Sequence, residues 1–394
     1  MKTIAFVATG YIRNFDGISV YTENVLRELL MSDKVQNEEL FVDIYTGKDV
    51  VELFAKRVLA DKTEHDNIRF ISVNDENFYK KIINLIISLR SNGSYDLIFM
   101  TNFMPTFFLG SKTIKVIHDF SVNLYPHLYS KFYLFYHNML IQYAKYFDEG
   151  IGYISKTTLI DMKRFHNIDE TNKKLLYVPN GIPFKVKKYA RPKVSIIEAK
   201  YDAKELDLLV VGRINKHKGF DRILEFCTYY DKKLRHTTLF KKVTFHIVGK
   251  QTNETESMLQ DLNLQNITLL FHGFLDDDGL NSLYTKAHFC FFLSRNEGYG
   301  LPLIEAMWFR CIPILSNIPI FNEIMGSTYP KFDDASGYTK TIEEFIEKTF
   351  SSQTYRKNIT TQIEATILKE SDGYKLAANN LLEYIDNLTK KGSK

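Results

Sequence analysis

The sequence lacks most features from which a function is quickly read. It has three cysteines in 394 residues. Cys227, Cys290 and Cys311 are scattered through apolar neighbourhoods without metal-ligand spacing, so buried free thiols in a reducing compartment are expected. No run of about 18 apolar residues occurs, which excludes a membrane-spanning helix. The opening MKTIAFVATGYIRN has one lysine and a short apolar run soon broken by Arg13 and Asn14. It fits a buried first strand better than a secretory leader. A formal net charge of +4 is mild. With no DNA- or RNA-binding motif beside it, nothing points to nucleic acid. Also missing are the Gly-Lys-Ser/Thr of a phosphate loop, the third glycine of a dinucleotide fingerprint and a serine or cysteine nucleophile elbow. Nucleoside triphosphatase, Rossmann oxidoreductase and acyl-transfer readings are weak for that reason.

What is present is a globular composition, 45% hydrophobic and 25% charged, on a chain too long for one ordinary core. Short apolar runs alternate with longer helical patterns, as in parallel α/β layers. Strands are expected at 3–9, 40–46, 68–73, 96–100, 114–119, 150–155 and 175–180, with helices at 20–31, 78–90, 129–147 and 157–165. Around 183–204 the pattern lapses into a basic stretch interrupted by Pro183 and Pro192, which reads as a linker. Alternation then resumes, with strands at 206–212, 242–249, 266–273, 288–294 and 311–316. Helices are expected at 220–230, 254–262, 277–286 and 301–309. The fold class is α/β: two Rossmann-like doubly wound domains facing each other across a cleft. Their bounds are 1–182, a linker 183–204, 205–372, and a C-terminal helix within 373–394 that packs back on the first domain. Ligands of such sheets sit at the carboxyl ends of the strands.

The motifs fall at those ends. In SRNEGYGLPLIEAM (294–307) a strand leads through a Gly-x-Gly turn into a helix with Pro302 near its start, where a missing N–H costs nothing. Gly298 and Gly300 allow a tight turn, and the helix N-terminus offers N–H groups and a positive dipole end to an anion such as phosphate. Glu297 and Glu305 flank that point. Carboxylates repel phosphate and suit hydroxyls, so the fitting ligand is a nucleotide-sugar; an ordinary helix entry with a solvated Glu305 is the plainer alternative. In VVGRINKHKGF (210–220), Arg213 and Lys218 follow a strand and would neutralise a diphosphate without a metal. Taken alone they fit a solvated basic loop equally well. In KVIHDFSVNLYP (115–126), His118 and Asp119 end a strand of the first domain, either as groups that orient hydroxyls or as a structural pair. The loop of GYIRNFDGISVYTENVLREL (10–29) carries Gly10 and Gly17 into a helix. The Asp-x-Asp of LDDDGLNSLY (275–284) reads as helix capping rather than a metal site.

Taken together and in this order, the motifs resemble the retaining glycosyltransferases of the GT-B fold, and within them the family 4 group of bacterial hexosyltransferases. EGYGLPLIE matches the Glu-x7-Glu signature, VVGRINKHKG the diphosphate-binding Arg and Lys, and VIHDFSVNLYP the His-Asp segment. DGISVYTENVLREL matches the first loop and helix, with Asp16-Gly17 where many members have paired glycines, and VPNGI the segment before the linker. The resemblance implies that Glu297 holds hydroxyls of the donor sugar and that the amides of Gly298, Tyr299, Gly300 and Leu301 meet sugar and phosphate. It places Glu305 on the ribose, Arg213 and Lys218 on the diphosphate, and Phe274 and Leu275 against the base. His118 then lies near the transferred sugar, and Gly17 and Asp119 join the donor site.

The implied reaction moves a hexose from a UDP- or GDP-linked sugar to a hydroxyl, with no metal and no other cofactor. The expected acceptor is a lipid-linked glycan of O-antigen or capsule assembly. Aromatic-basic helices at 77–90 and 129–147 either pack on their sheet or touch an anionic inner leaflet. The chain is accordingly expected in the cytoplasm, peripheral to the inner membrane. A glycoside hydrolase using Glu297 and Glu305, a nucleotide-sugar epimerase of the same fold and a non-catalytic partner subunit are the alternatives. A retaining hydrolase needs its carboxyls about 5 Å apart, which nothing in the spacing enforces.

Overall fold

The computed structural model describes residues 2–11, 16–59, 66–74, 77–105, 107, 109, 112–235, 239–260, 262–333 and 337–389. The middle of the first glycine loop (12–15), residue 261 of an expected helix and the last five residues lie outside them. The chain forms two compact units, one of Met1–Pro183 with Asp372–Lys394, the other of Phe184–Ser371.

The first unit is a seven-stranded parallel sheet of β1 (Lys2–Val7), β2 (Leu40–Gly47), β3 (Ile68–Val73), β4 (Leu97–Met100), β5 (Thr113–Ile117), β6 (Gly150–Tyr153) and β7 (Leu175–Tyr177). Its order is β3-β2-β1-β4-β5-β6-β7. The helices between strands are α1 (Gly17–Leu30), α2 (Asp33–Gln36), α3 (Val51–Leu59), α4 (Phe78–Ser91), α5 (Ser121–Leu124), α6 (Lys131–Phe147) and α7 (Lys156–His166). The central strands read as unbroken apolar runs because both faces are covered; LIFM of β4 is buried throughout. One exception is Lys115 in β5, whose ammonium is buried 2.9 Å from the equally buried Asp148 carboxylate. Paired in this way a buried charge is tolerated. Local signals set the helix ends: Ser155 caps α7 through its side chain, and Asn167 closes it in the left-handed conformation.

The second unit begins with α8 (Phe184–Lys187) and α9 (Val194–Ala199), so the stretch expected as a linker is built into it. Its parallel sheet comprises β8 (Glu205–Val211), β9 (Lys242–Val248), β10 (Ile267–Gly273), β11 (Phe289–Phe292), β12 (Ile312–Ser316) and β13 (Lys331–Phe332), in the order β10-β9-β8-β11-β12-β13. Around it lie α10 (Phe220–Leu234), α11 (Asn253–Leu259), α12 (Asp277–Lys286), α13 (Leu301–Trp308), α14 (Pro319–Met325), α15 (Tyr338–Ser351) and α16 (Gln353–Glu370). The chain then returns to the first unit as α17 (Gly373–Thr389), where the Asn380 amide donates to the Tyr177 carbonyl of β7 at 2.8 Å.

Both strand orders reverse direction once, between β1 and β4 in the first sheet and between β8 and β11 in the second. At such a switch the following loops part to opposite sides and leave a crevice beyond the carboxyl ends of the two strands. The loop carrying Arg213 and Lys218 follows β8, and the loop carrying Glu297 follows β11.

Candidate active site

In the second unit those two loops are tied together. Gly219 caps α10 with φ +74°, and a Cβ there would lie 1.9 Å from the Leu293 carbonyl oxygen, so only glycine permits the approach. The Arg295 backbone N–H donates to the His217 carbonyl at 3.0 Å, and its guanidinium grips Asp221 with two bonds of 2.8 and 2.7 Å. The Ser316 hydroxyl of β12 donates to the Ser294 carbonyl at 2.6 Å. On this frame Glu297 accepts from the Lys218 ammonium at 2.6 Å and from the Ser294 hydroxyl at 2.7 Å. Lys218 is thereby held as a fixed cation beside a half-buried carboxylate at the switch point. Arg213 stands exposed in the same loop.

Gly300 caps α13 with φ +94°, a conformation that strains any side chain, and Leu301 opens the helix. First-turn N–H groups of a helix lack intrahelical acceptors, so this end favours an anion. Gly298 is half-buried in the turn. The Tyr299 side chain points away from that role, since it is buried with its hydroxyl bonded to Glu370. Its contribution to a ligand reduces to its backbone. Glu305, one turn into α13, is buried: it accepts from Lys185 at 2.8 Å on one oxygen and from the Tyr284 hydroxyl at 3.3 Å on the other. Beyond β10, Phe274 is 72% exposed and Leu275 half-buried. Asp276 caps α12 by accepting the Gly279 N–H at 2.8 Å, as the capping interpretation of Asp-x-Asp expects.

In the first unit His118 follows β5, and its Nε2 donates to the Thr101 carbonyl at 2.7 Å beyond β4. The Tyr21 ring meets it edge-on with centroids 4.8 Å apart. Burial pushes the His118 pKa below its ordinary value. The ring is therefore neutral near pH 7, with Nδ1 as the acceptor nitrogen. Asp119 turns to its own chain and accepts the Ser121 N–H at 2.9 Å. Gly17 is exposed at the first position of α1, where Asp16 caps the helix through the Ser19 N–H at 2.8 Å. The expected residues thus fall into two groups, each assembled at the carboxyl edge of its own sheet. Sequence reasoning missed Ser294, Arg295, Asp221 and Ser316, which fix Glu297 and Lys218, and Lys185 and Tyr284, which hold Glu305. The three cysteines are buried, and burial raises the Cys311 thiol to about 12, which leaves it inert.

Two doubly wound parallel sheets of this order, each with polar loops at its switch point, define the GT-B fold. Residues 195–365 match the model of the family Glycosyl transferases group 1. The serotype-specific mannosyltransferase WbdA of Escherichia coli is 23% identical over 255 residues, which cover 63% of this chain and 30% of that protein. The chain thus spans about 30% of the length of the first curated relatives it matches. Among solved structures, Anabaena Alr3699/HepE in complex with UDP and glucose superposes with a TM-score of 0.67 at 15% identity, covering 98% of this chain and 100% of that one. WaaG, a glycosyltransferase involved in lipopolysaccharide biosynthesis, superposes with a TM-score of 0.66 at 15% identity, covering 98% and 99%. The resemblance to GT-B glycosyltransferases read from the sequence is borne out at that level.

Proposed function

We propose that this chain is a retaining hexosyltransferase of the family 4 group, transferring a hexose from a UDP- or GDP-linked sugar to a sugar hydroxyl. The observation that carries the proposal is the Lys218–Glu297 pair. It lies on loops at the switch point of the second sheet, beside the N-termini of α10 and α13. A hydrolase would have no use for a cation locked to one of its two carboxylates. A nucleotide-sugar has use for both: hydroxyls of the sugar for Glu297, negative charge of the leaving diphosphate for Lys218 and Arg213.

As the glycosidic bond breaks, charge develops on the diphosphate. In this scheme Lys218, Arg213 and the α13 N-terminus are the donors that meet that charge, which lowers the barrier electrostatically. These cations make a metal unnecessary in this scheme; the acceptor hydroxyl attacks on the face from which the diphosphate departs and passes its proton to the departing phosphate oxygen. His118, neutral and with Nδ1 as acceptor, suits contact with a hydroxyl of the transferred sugar or the acceptor. Glu305 serves the ribose, and Phe274 and Leu275 the base.

The relatives named for mannosyl transfer and lipopolysaccharide biosynthesis support a place in bacterial surface-glycan assembly, with a lipid-linked glycan as acceptor. The exposed aromatic faces of α4 and α6 support contact with the cytoplasmic leaflet of the membrane that holds such a lipid. The test is a donor-release assay over a panel of UDP- and GDP-sugars with candidate lipid-linked acceptors. Glu297→Ala should lower kcat by roughly 10²-fold or more with the fold intact. Full activity in that variant, or release from a nucleotide-free glycoside, would overturn the reading. Conversion of the donor without an acceptor would indicate an epimerase.

A further inference from the structure

Glu305 reaches its place in α13 with both carboxylate oxygens engaged by groups outside the family motif. Only 5% of the residue is exposed. A carboxylate this deeply buried is costly without a cation beside it. Lys185 supplies that cation, its Nζ 2.8 Å from Oε1. The Tyr284 hydroxyl, from the core-facing side of α12, donates to Oε2 at 3.3 Å.

Lys185 is not a flexible surface lysine that happens to lie near. It belongs to a strap that opens the second unit and is fastened along its length. Lys188 approaches Asp277 at 3.8 Å, and the Tyr189 hydroxyl binds Asp278. The Trp308 indole donates to the Tyr189 carbonyl at 3.1 Å, and Arg191 donates to the Trp308 carbonyl at 3.2 Å while pairing with Glu364. These anchors bring the Lys185 ammonium to one side of the carboxylate, at 21% side-chain exposure.

An ionised carboxylate accepts about four hydrogen bonds, two on each oxygen. Among the described residues Lys185 takes one position on Oε1 and Tyr284 at most one on Oε2, its single proton also facing the Pro302 carbonyl at 3.3 Å, which leaves at least one acceptor position on each oxygen. That is the pattern a vicinal diol requires, since its two neutral O–H groups can only donate to an acceptor of this kind.

We propose that Lys185 is a positioning residue for ribose recognition: it holds the Glu305 carboxylate in the orientation in which each of its oxygens accepts one hydroxyl of the nucleotide's 2′,3′-diol. The inference rests on the reading of Glu305 as the ribose grip and adds the residue that makes the grip work. It also gives the basic stretch before β8 a task in donor selection beyond joining two domains.

The test compares binding of UDP and GDP with binding of their 2′-deoxy counterparts by calorimetry, in wild type, Glu305→Gln, Lys185→Met and Lys185→Arg. The deoxy ligand has the same charge, so any general attraction of Lys185 for the diphosphate cancels in the ratio. Wild type should prefer the ribonucleotide. Lys185→Met should cut that preference by about tenfold, the value of one charge-assisted hydrogen bond. Lys185→Arg, which keeps the cation, should keep the preference. A merely structural lysine would weaken both ligands alike and leave their ratio unchanged. Lys185→Met with an unchanged ratio, in a protein whose Glu305→Gln variant loses it, would sink this inference alone. A wild type that binds neither nucleotide, or a Glu305→Gln variant that discriminates as before, would overturn the ribose grip itself and this inference with it.

Discussion

At the scale of the residue, the candidate site depends on a few side chains whose partners are far away in sequence. Glu297 and Lys218 are 79 positions apart and 2.6 Å in space. What permits the contact is Gly219, whose missing Cβ lets the start of α10 pass against the Leu293 carbonyl. Gly219→Ala is therefore expected to cost more than about 2 kcal/mol, combining a left-handed backbone with a backbone clash. Chemical denaturation measures the loss, and nucleotide affinity should fall with it because the Lys218 loop is displaced. A stability within 0.5 kcal/mol of wild type, about the ordinary range for surface changes, would show that the loop has room the structure does not display. Glu297 itself was legible from EGYGLPLIE. Arg295 and Ser294 in the same stretch carry no signature, because an Arg that anchors a loop and one that faces solvent look alike until Asp221 is brought to it.

At the scale of the element, most strands and helices could be read along the chain. Strands buried on both faces are apolar throughout, and helices announce themselves by period and caps. The reading failed where the pattern is broken by buried charge. In α16 the buried face includes Arg356, held by Glu198 and by the Thr349 and Phe350 carbonyls, so the apolar stripe there is interrupted. β13 is two residues long and too short to show any period. The helices α4 and α6 present the opposite problem, with apolar side chains on faces that stay exposed. Tyr79 and Phe132 are each 76% exposed, and Phe135 and Ile87 are also exposed. Burial, and after it the Tyr79 phenol of α4, raises the Tyr136 phenol of α6. Lys80, Lys81, Lys131 and Lys145 lie on the same helices. Apolar wedges flanked by lysine suit an anionic bilayer surface. Vesicles rich in anionic lipid should sediment the protein at low salt and release it as salt rises. The double change Phe132→Ser with Phe135→Ser should reduce the bound fraction about tenfold, given the area of two aromatic side chains. No sedimentation of wild type at low salt would remove the membrane from the proposal.

At the scale of the whole molecule, each unit buries a neutral histidine whose pKa is lowered to about 4, in both cases mainly by burial. His288 makes the reason plain: Nδ1 accepts the Asp207 N–H at 3.1 Å while Nε2 donates to the Lys200 carbonyl at 3.0 Å, so a second proton would face a donor. His166 accepts from Gln142 at 3.2 Å on Nδ1, and its Nε2 lacks a partner among the described residues. From the ordinary histidine value of 6.5 down to about 4, the unfolded chain binds these protons and the folded chain does not. Stability should therefore be full above pH 6.5 and fall as the pH drops through that window, by on the order of 2–3 kcal/mol for each histidine. Denaturant titrations at pH 7 and pH 4.5 check this. His166→Gln and His288→Gln should each flatten the slope, and an unchanged slope in both would show that other groups govern the acid limb.

The sequence by itself determined the α/β class and the division into two sheets, and it singled out Glu297, Glu305, Arg213, Lys218 and His118 as candidates. Those properties are local: periodicity, turn chemistry and motif spacing are written along the chain. Tertiary structure alone decided which partners these residues have. The burial of Glu305 between Lys185 and Tyr284, the locking of Lys218 to Glu297, and the inward turn of Tyr299 follow from strand order and from backbone approaches at single glycines. A side chain's chemistry is set by its residue type, but its charge state and its use depend on what the fold packs against it.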